Sequence, residues 1–266
     1  MRPYQRIRVE HLGSRALITL AYAKRRNALS PQMTNELLYA LEDLRLDDSV
    51  RVIVITGEGK TFSAGGDLSY MTATGESVRP PPVGEVLPPR GDYADLLLSL
   101  LRCDKPTIAR VNGHALGSGL GLVAACTFSV ALRDAQFGTP EINAGLFPMM
   151  IMALLARIMP RKRLLEMMLL GEKVDAADAE RMGILTRAVE PGELDETIRE
   201  IEGQLLQKSP LVVKLGLRAF AAQEDLEMEQ ALKMLRERFA NVLDTEDAHE
   251  GLAAFLEKRV PVWRGR

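Results

Sequence analysis

Two glycine-rich turns and one acid stand out in this chain as candidates for a reactive site. The first turn is Phe62-Ser63-Ala64-Gly65-Gly66-Asp67-Leu68, and the second is Asn112-Gly113-His114-Ala115-Leu116-Gly117-Ser118-Gly119-Leu120-Gly121. Further along comes Gly138-Thr139-Pro140-Glu141. Each turn follows an apolar strand candidate, Val52–Ile55 for the first and Thr107–Val111 for the second. Small residues after a strand expose backbone N–H groups, and two such groups aimed at one point can hold a developing oxyanion. A carboxylate beside them would transfer a proton. Together they point to chemistry on a carbonyl or thioester.

Other chemistries fit these residues less well. Gly57-Glu58-Gly59-Lys60-Thr61 is like the end of a phosphate-binding loop, but that loop needs a glycine five residues before Gly59, where the chain has Val54. A plain turn accounts for it. Gly117–Gly121 misses the dinucleotide spacing, so no NAD site is expected. Ser118 invites a nucleophile reading, yet the hydrolase elbow places glycine two residues before its serine, and that position is Leu116. Of the three histidines only His114 lies near it, and His114 reads better as a packed or turn residue. Pro140 biases Thr139 toward an extended conformation, which puts Glu141 just past a strand-like segment. Partial burial among Ile142 and the apolar 144–151 stretch would raise its pKa and let it trade protons near neutral pH. A simple charge at a helix start is the alternative.

The elements that must position these residues alternate between strand and helix patterns. Ile7–Val9 and Ala16–Leu20 read as short strands around a turn at Gly13-Ser14. Ser30-Pro31 offers an N-cap and a first-turn proline ahead of Met33, Leu37, Leu41 and Leu44 at helical spacing. Val52–Ile55 is a continuous apolar run, as in a strand buried on both faces. Tyr93–Leu101 as helix, Thr107–Val111 as strand, a helix from about Gly119 and Thr127–Leu132 as strand continue the alternation, which argues α/β with a large parallel component. Between them, residues 72–92 hold Pro80, Pro81, Pro82, Pro88 and Pro89 with Gly75, Gly84 and Gly91, so neither helix nor strand is expected there. From about Met150 the pattern is mostly helical, with starts expected at Asp175, Ser209-Pro210 and Thr245. Leu226, Leu232, Leu235, Phe239, Leu252, Phe255 and Leu256 are many apolar residues for a terminal segment, and unless they pack on their own core they need a partner subunit.

The bulk composition bounds the class. A chain of 266 residues with 47% hydrophobic and 26% charged residues is an ordinary globular protein. A formal charge of −2 gives no field to recruit nucleic acid or a membrane surface. Cys103 and Cys126 have no partners at metal spacing, so no metal and a reduced setting are expected. The Met1–Arg6 segment lacks a signal-peptide core and no apolar run reaches spanning length, which makes the expected location cytoplasmic.

The three motifs, with Asn27-Ala28-Leu29-Ser30 near the start and Ala253-Ala254-Phe255-Leu256-Glu257-Lys258-Arg259 near the end, resemble the crotonase family of enoyl-CoA hydratases and isomerases. The resemblance spans nearly the whole chain in the right order. It implies a spiral of ββα units over residues 1–200, carrying the acyl-CoA-binding catalytic core, and a helical region over 201–266 that builds trimers or hexamers. It implies Gly66 and Ser118 as backbone oxyanion donors and Glu141 as acid/base, with serine at 118 acceptable if its φ is negative. Lys24, Arg25 and Arg26 would meet the CoA phosphates, and Ala64 and Leu68 would border the adenine. Ala28, Gly65, Asp67, Leu116, Gly117 and Pro140 would line the acyl-CoA, while Phe255 and Lys258 would reach a neighbouring subunit's CoA. CoA is then part of the substrate and no separate cofactor is expected.

The departures from the family pattern carry the finer reading. Hydratases of this family usually hold water between two glutamates; Glu141 matches one, and the other falls at Gly121. A lone carboxylate suits a 1,3-proton transfer, which favours isomerisation of a 3-enoyl to a 2-enoyl thioester over hydration. Hydration by Glu141 alone is the alternative. A thioesterase using Ser118 and His114, and a non-catalytic CoA-binding module, are more distant. The position eight residues past Glu141, an aspartate in dehalogenating and dienoyl-isomerising branches, is Met149. Met149-Met150-Ile151-Met152 and the proline segment are expected to shape the acyl pocket. Thr127 replaces a frequent aspartate for no reason legible in the sequence.

Overall fold

The computed structural model describes residues 2–72 and 87–266, the side chains of Met71 and Thr72 excepted. Most of the expected proline segment, including Gly75, Pro80, Pro81, Pro82 and Gly84, therefore lies outside the described residues. Its end is described: Asn35 on the first helix donates to the Pro88 carbonyl at 3.0 Å and accepts the Arg90 N–H at 2.7 Å.

The chain opens with an antiparallel hairpin, β1 (Ile7–Leu12) and β2 (Arg15–Leu20), turned at Gly13 with φ of 66°. Helix α1 (Pro31–Leu46) starts as its sequence signals: the Ser30 hydroxyl accepts the Met33 N–H at 3.2 Å and Pro31 fills the first turn. Three long strands follow, β3 (Val52–Gly57), β5 (Thr107–Val111) and β7 (Phe128–Leu132), and each passes almost at once into a three-residue strand: β4 (Thr61–Ser63), β6 (His114–Leu116) and β8 (Gln136–Gly138). Helices α2 (Leu68–Thr72) and α3 (Tyr93–Leu101) follow β4, and α4 (Ser118–Ala125) follows β6. A 3₁₀ turn, Pro140–Ala144, follows β8, and then come α5 (Met149–Ile158) and α6 (Arg161–Leu170). Then β9 (Lys173–Asp175), α7 (Ala176–Arg181), β10 (Arg187–Val189) and α8 (Leu194–Leu206) complete the body.

The strands sort into two sheets. One runs β1-β2-β3-β5-β7-β10, parallel throughout except at β1; the other runs β4-β6-β8-β9, parallel except at β9. Each repeat thus gives one strand to each sheet and then a helix, the expected ββα spiral. The alternation along β3 shows why it is apolar throughout. Ile53 and Ile55 enter the main core with α1, α3 and α4, whereas Val52 and Val54 face Leu194, Ile198 and Ile201 of α8. Thr127 now has a physical account: its hydroxyl accepts the Thr107 N–H at 3.1 Å while the Thr107 hydroxyl accepts the Thr127 N–H at 2.9 Å, which ties the heads of β5 and β7.

The last three helices, α9 (Pro210–Gln223), α10 (Met228–Leu243) and α11 (Glu246–Glu257), start at Ser209, Glu227 and Thr245, and the Ser209 and Thr245 hydroxyls cap theirs. They do not build a second core: Phe239, Leu252, Phe255 and Leu256 are exposed, as are Phe220 and Met228. Among the described residues no helix is long and apolar enough to cross a membrane. Both cysteines are free thiols.

Candidate active site

The three short parallel strands bring the three motifs to one place. Ser63 of β4 pairs with Ala115 of β6, and Leu116 pairs with Gly138 of β8, so the strands end side by side. Gly65-Gly66, Gly117-Ser118 and Pro140-Glu141 each come within a few residues of those ends and emerge at the same sheet edge. The carboxyl ends of parallel strands are where open α/β sheets present their sites. The second turn is fastened to the third motif by a bond from the Gly117 N–H to the Gly138 carbonyl at 2.9 Å.

The two expected donors are free to donate. Around Gly66, the Gly65 carbonyl accepts the Leu29 N–H at 2.8 Å and the Asp67 N–H reaches the Leu29 carbonyl at 3.0 Å. That ladder fixes the chain on both sides of Gly66 and leaves the Gly66 N–H with no partner among the described residues. Ser118 is the first residue of α4, where a helix N–H has no intrahelical acceptor, and the Ser118 N–H too has no partner among the described residues. Its φ is negative, since the only non-glycine residues with positive φ among the described ones are Arg26, Asn27 and Lys258. The partial positive charge of the α4 N-terminus adds to the field at the Ser118 N–H.

Glu141 stands against this turn. A Cβ built on Gly117, whose φ is 48°, would lie 2.8 Å from Glu141 Oε1, so glycine at 117 is what lets the carboxylate approach. Glu141 Oε2 is buried and has no hydrogen-bond partner among the described residues. Burial pushes its carboxyl pKa up, and a hydrogen bond from its own backbone N–H offsets that only in part. This is the behaviour expected of a group that must both take and return a proton near neutral pH.

At Gly121 the structure supplies what the sequence left blank. A Cβ there would overlap the Tyr93 hydroxyl and lie 2.6 Å from Ile151 Cγ2. The position of the missing acid is thus filled by a phenol from α3 and a methyl from α5. The Tyr93 hydroxyl donates to the Ser118 carbonyl at 2.6 Å. Its pKa is pushed up, first by burial and then by the nearby Glu141 charge, so the phenol stays neutral. Sequence reasoning placed Tyr93 only as a helix start; no local signal points from Tyr93 to Gly121, which are 28 positions apart.

The remaining expected residues divide into three groups. Lys24 and Arg25 sit in an exposed 3₁₀ turn, Ala23–Arg25, beside the first glycine turn, and the Arg26 carbonyl accepts the Ala64 N–H at 2.9 Å. The sharp bend comes from Arg26 and Asn27, both left-handed, and is pinned by the buried Asn27 side chain. Its Oδ1 accepts the Tyr22 N–H at 3.0 Å, and its Nδ2 donates to the Glu58 and Thr61 carbonyls. Ala28, Ala64, Gly65, Leu116 and Pro140 all lie at the joined turns, with Leu68 exposed beside them. Asp67 is there too, but its carboxylate accepts the Ser69 N–H and hydroxyl at 3.1 and 2.6 Å and caps α2. Phe255 and Lys258 are not brought to the site within this chain: they lie at the end of α11, where Phe255 is 82% exposed.

His114 is not placed as a base for Ser118. It starts β6, is exposed, and its Nδ1 accepts the Gln136 N–H at 3.1 Å. Of the methionine run, Met149 and Met150 are exposed while Ile151 is buried against Gly121.

The chain is similar to known proteins over nearly its whole length. The family described as Enoyl-CoA hydratase/isomerase matches residues 11–266. Among curated proteins, carnitinyl-CoA dehydratase from Escherichia coli K12 is 36% identical over 260 residues, covering 96% of this chain and 96% of that protein. Among solved structures, human enoyl coenzyme A hydratase domain-containing protein 3 superposes with a TM-score of 0.90 at 32% identity, covering 97% of this chain and all of that one. An enoyl-CoA hydratase from Mycobacterium smegmatis also gives 0.90, at 33% identity, with 97% and 99% covered.

Proposed function

The chain belongs to the enoyl-CoA hydratase/isomerase family, and from that premise we propose that it isomerises a 3-enoyl-CoA to the 2-enoyl-CoA with Glu141 as the single acid/base. The observation that carries this reading is the pairing of one half-buried carboxylate with a neutral phenol where a second carboxylate would stand. The Glu141 carboxylate removes a proton from the carbon next to the thioester. The electron pair moves onto the thioester oxygen, where the Gly66 and Ser118 N–H groups receive it. The protonated Glu141 then returns the same proton two carbons further out, so the double bond shifts and nothing is gained or lost. One oxyanion donor is worth about 3–4 kcal/mol in such a transition state.

The exposed Lys24–Arg26 turn beside Ala64 supports CoA-phosphate binding at this edge. The exposed apolar faces of α9–α11 support a homotrimer or hexamer built on residues 201–266, in which Phe255 and Lys258 would serve a neighbour's site. Neither the substrate chemistry nor this assembly calls for a separate cofactor.

Hydration of a 2-enoyl-CoA is the second reading, favoured by the names of the relatives from Escherichia coli and Mycobacterium smegmatis. Incubation with a 3-enoyl-CoA and a 2-enoyl-CoA separates the two. Isomerisation predicts conversion of the first and little water addition to the second; rapid hydration of the second with no turnover of the first would overturn it. Neither reading releases free thiol from acyl-CoA, whereas thioester cleavage would.

A further inference from the structure

The first turn of α4 is built from a sequence that cannot stiffen itself. Gly117, Gly119 and Gly121 surround Ser118, and each glycine adds backbone freedom that a helix former would remove. None is free to change: Gly117 faces the Glu141 carboxylate, a Cβ on Gly119 would lie 2.6 Å from Ser63 Cβ, and Gly121 faces Tyr93 and Ile151. An oxyanion donor, however, is useful only if it is already aimed when charge develops. Rigidity must therefore come from hydrogen bonds, one of them from outside the turn.

Two bonds supply it. The peptide that carries the Ser118 N–H is held at its own carbonyl, Gly117 O, by the Gly121 N–H at 3.1 Å. The next peptide is held at the Ser118 carbonyl by the Tyr93 hydroxyl at 2.6 Å. Tyr93 is itself delivered by a fixed element. α3 sinks Leu96, Leu97 and Leu100 into the core, and its start is locked by a reciprocal capping box between Asp92 and Asp95. Being neutral, the phenol remains a donor at every working pH.

We propose that Tyr93 is a positioning residue for the reaction: from the space that Gly121 leaves, its hydroxyl holds the glycine-rich first turn of α4 so that the Ser118 N–H stays aimed at the thioester oxygen. The inference rests on the reading of Gly66 and Ser118 as oxyanion donors.

The test reads the carbonyl rather than the product. A saturated short-chain acyl-CoA, isotope-labelled at its thioester carbonyl, is bound to the full-length protein and the carbonyl stretch is followed by infrared difference spectroscopy. Wild type is expected to lower the frequency relative to the free thioester, and Glu141→Gln to keep that shift. Tyr93→Phe, which preserves the ring and its packing, is expected to lose at least about half of it. In turnover it should lose on the order of tenfold in kcat, with KM changed far less. A purely structural role would lower stability without moving the frequency. A full shift and wild-type kcat in Tyr93→Phe would overturn the role of Tyr93. No shift in wild type would overturn the oxyanion hole itself, and this inference with it.

Discussion

The two sheets of this molecule divide its labour. The six-stranded sheet has strands of three to six residues, and its central strands are buried on both faces, against α1, α3 and α4 on one side and α8 on the other. The four-stranded sheet is made of three-residue strands that still give the core Phe62, Ala115 and Phe137, and its first three strands end at the two glycine turns and Glu141. Both sheets feed the core, but only the ends of the smaller one set the positions of two N–H groups and a carboxylate. Stability can therefore be lowered in the larger sheet without touching the site.

The strongest way to sharpen that contrast is Glu141→Gln. It should cost about 10²–10⁴-fold in kcat while the protein folds normally. The raised carboxyl pKa fixes two further signs. Proton abstraction needs the carboxylate, so wild-type activity should rise with pH through an apparent pKa above the ordinary carboxylate value. For stability the sign is opposite. The folded protein holds this proton more tightly than the unfolded chain, so a contribution fully present below the unfolded pKa is lost as pH rises through the folded one. Glu141→Gln should therefore melt higher than wild type at neutral pH, with the difference vanishing in acid. A melting temperature that falls at neutral pH would break the contrast.

Ile53→Ala is the converse change. Ile53 is wholly buried in the large sheet, and truncating it should cost about 2–5 kcal/mol in denaturant unfolding. The folded fraction should keep its kcat, and a loss of kcat equal to that of the Glu141 variant would show that the sheets are not separable. Gly121→Ala lies between the two. It forces a methyl against Tyr93 and Ile151, and overpacking of this kind should cost about 1–3 kcal/mol together with a fall in kcat. Ser118→Gly should do least: the backbone N–H remains, so kcat should stay within about threefold of wild type. A larger loss would give the serine hydroxyl a part in the chemistry.

Local pattern along the chain is enough to specify several parts of this protein. The apolar run at Val52, the capping signals at Ser30, Ser209 and Thr245, and the alternation of strand and helix all carry their physical cause within a few residues. The two glycine turns and Glu141 were legible for the same reason, and the resemblance of five motifs in order placed them in one family.

Tertiary structure decided the rest. β4, β6, β8 and β9 are too short to show a period of two, so the sheet that assembles the site is invisible until its strands pair. The roles of Asn27, whose amide reaches the Glu58 and Thr61 carbonyls to pin the bend beside Ala64, and of Thr127, which ties two strand heads, depend on partners 20 or more positions away. Gly121 is the clearest case. In the sequence it is an acid that is absent; in the fold it is the space that a tyrosine from another helix fills, because only packing determines which side chain enters a vacancy left by a glycine.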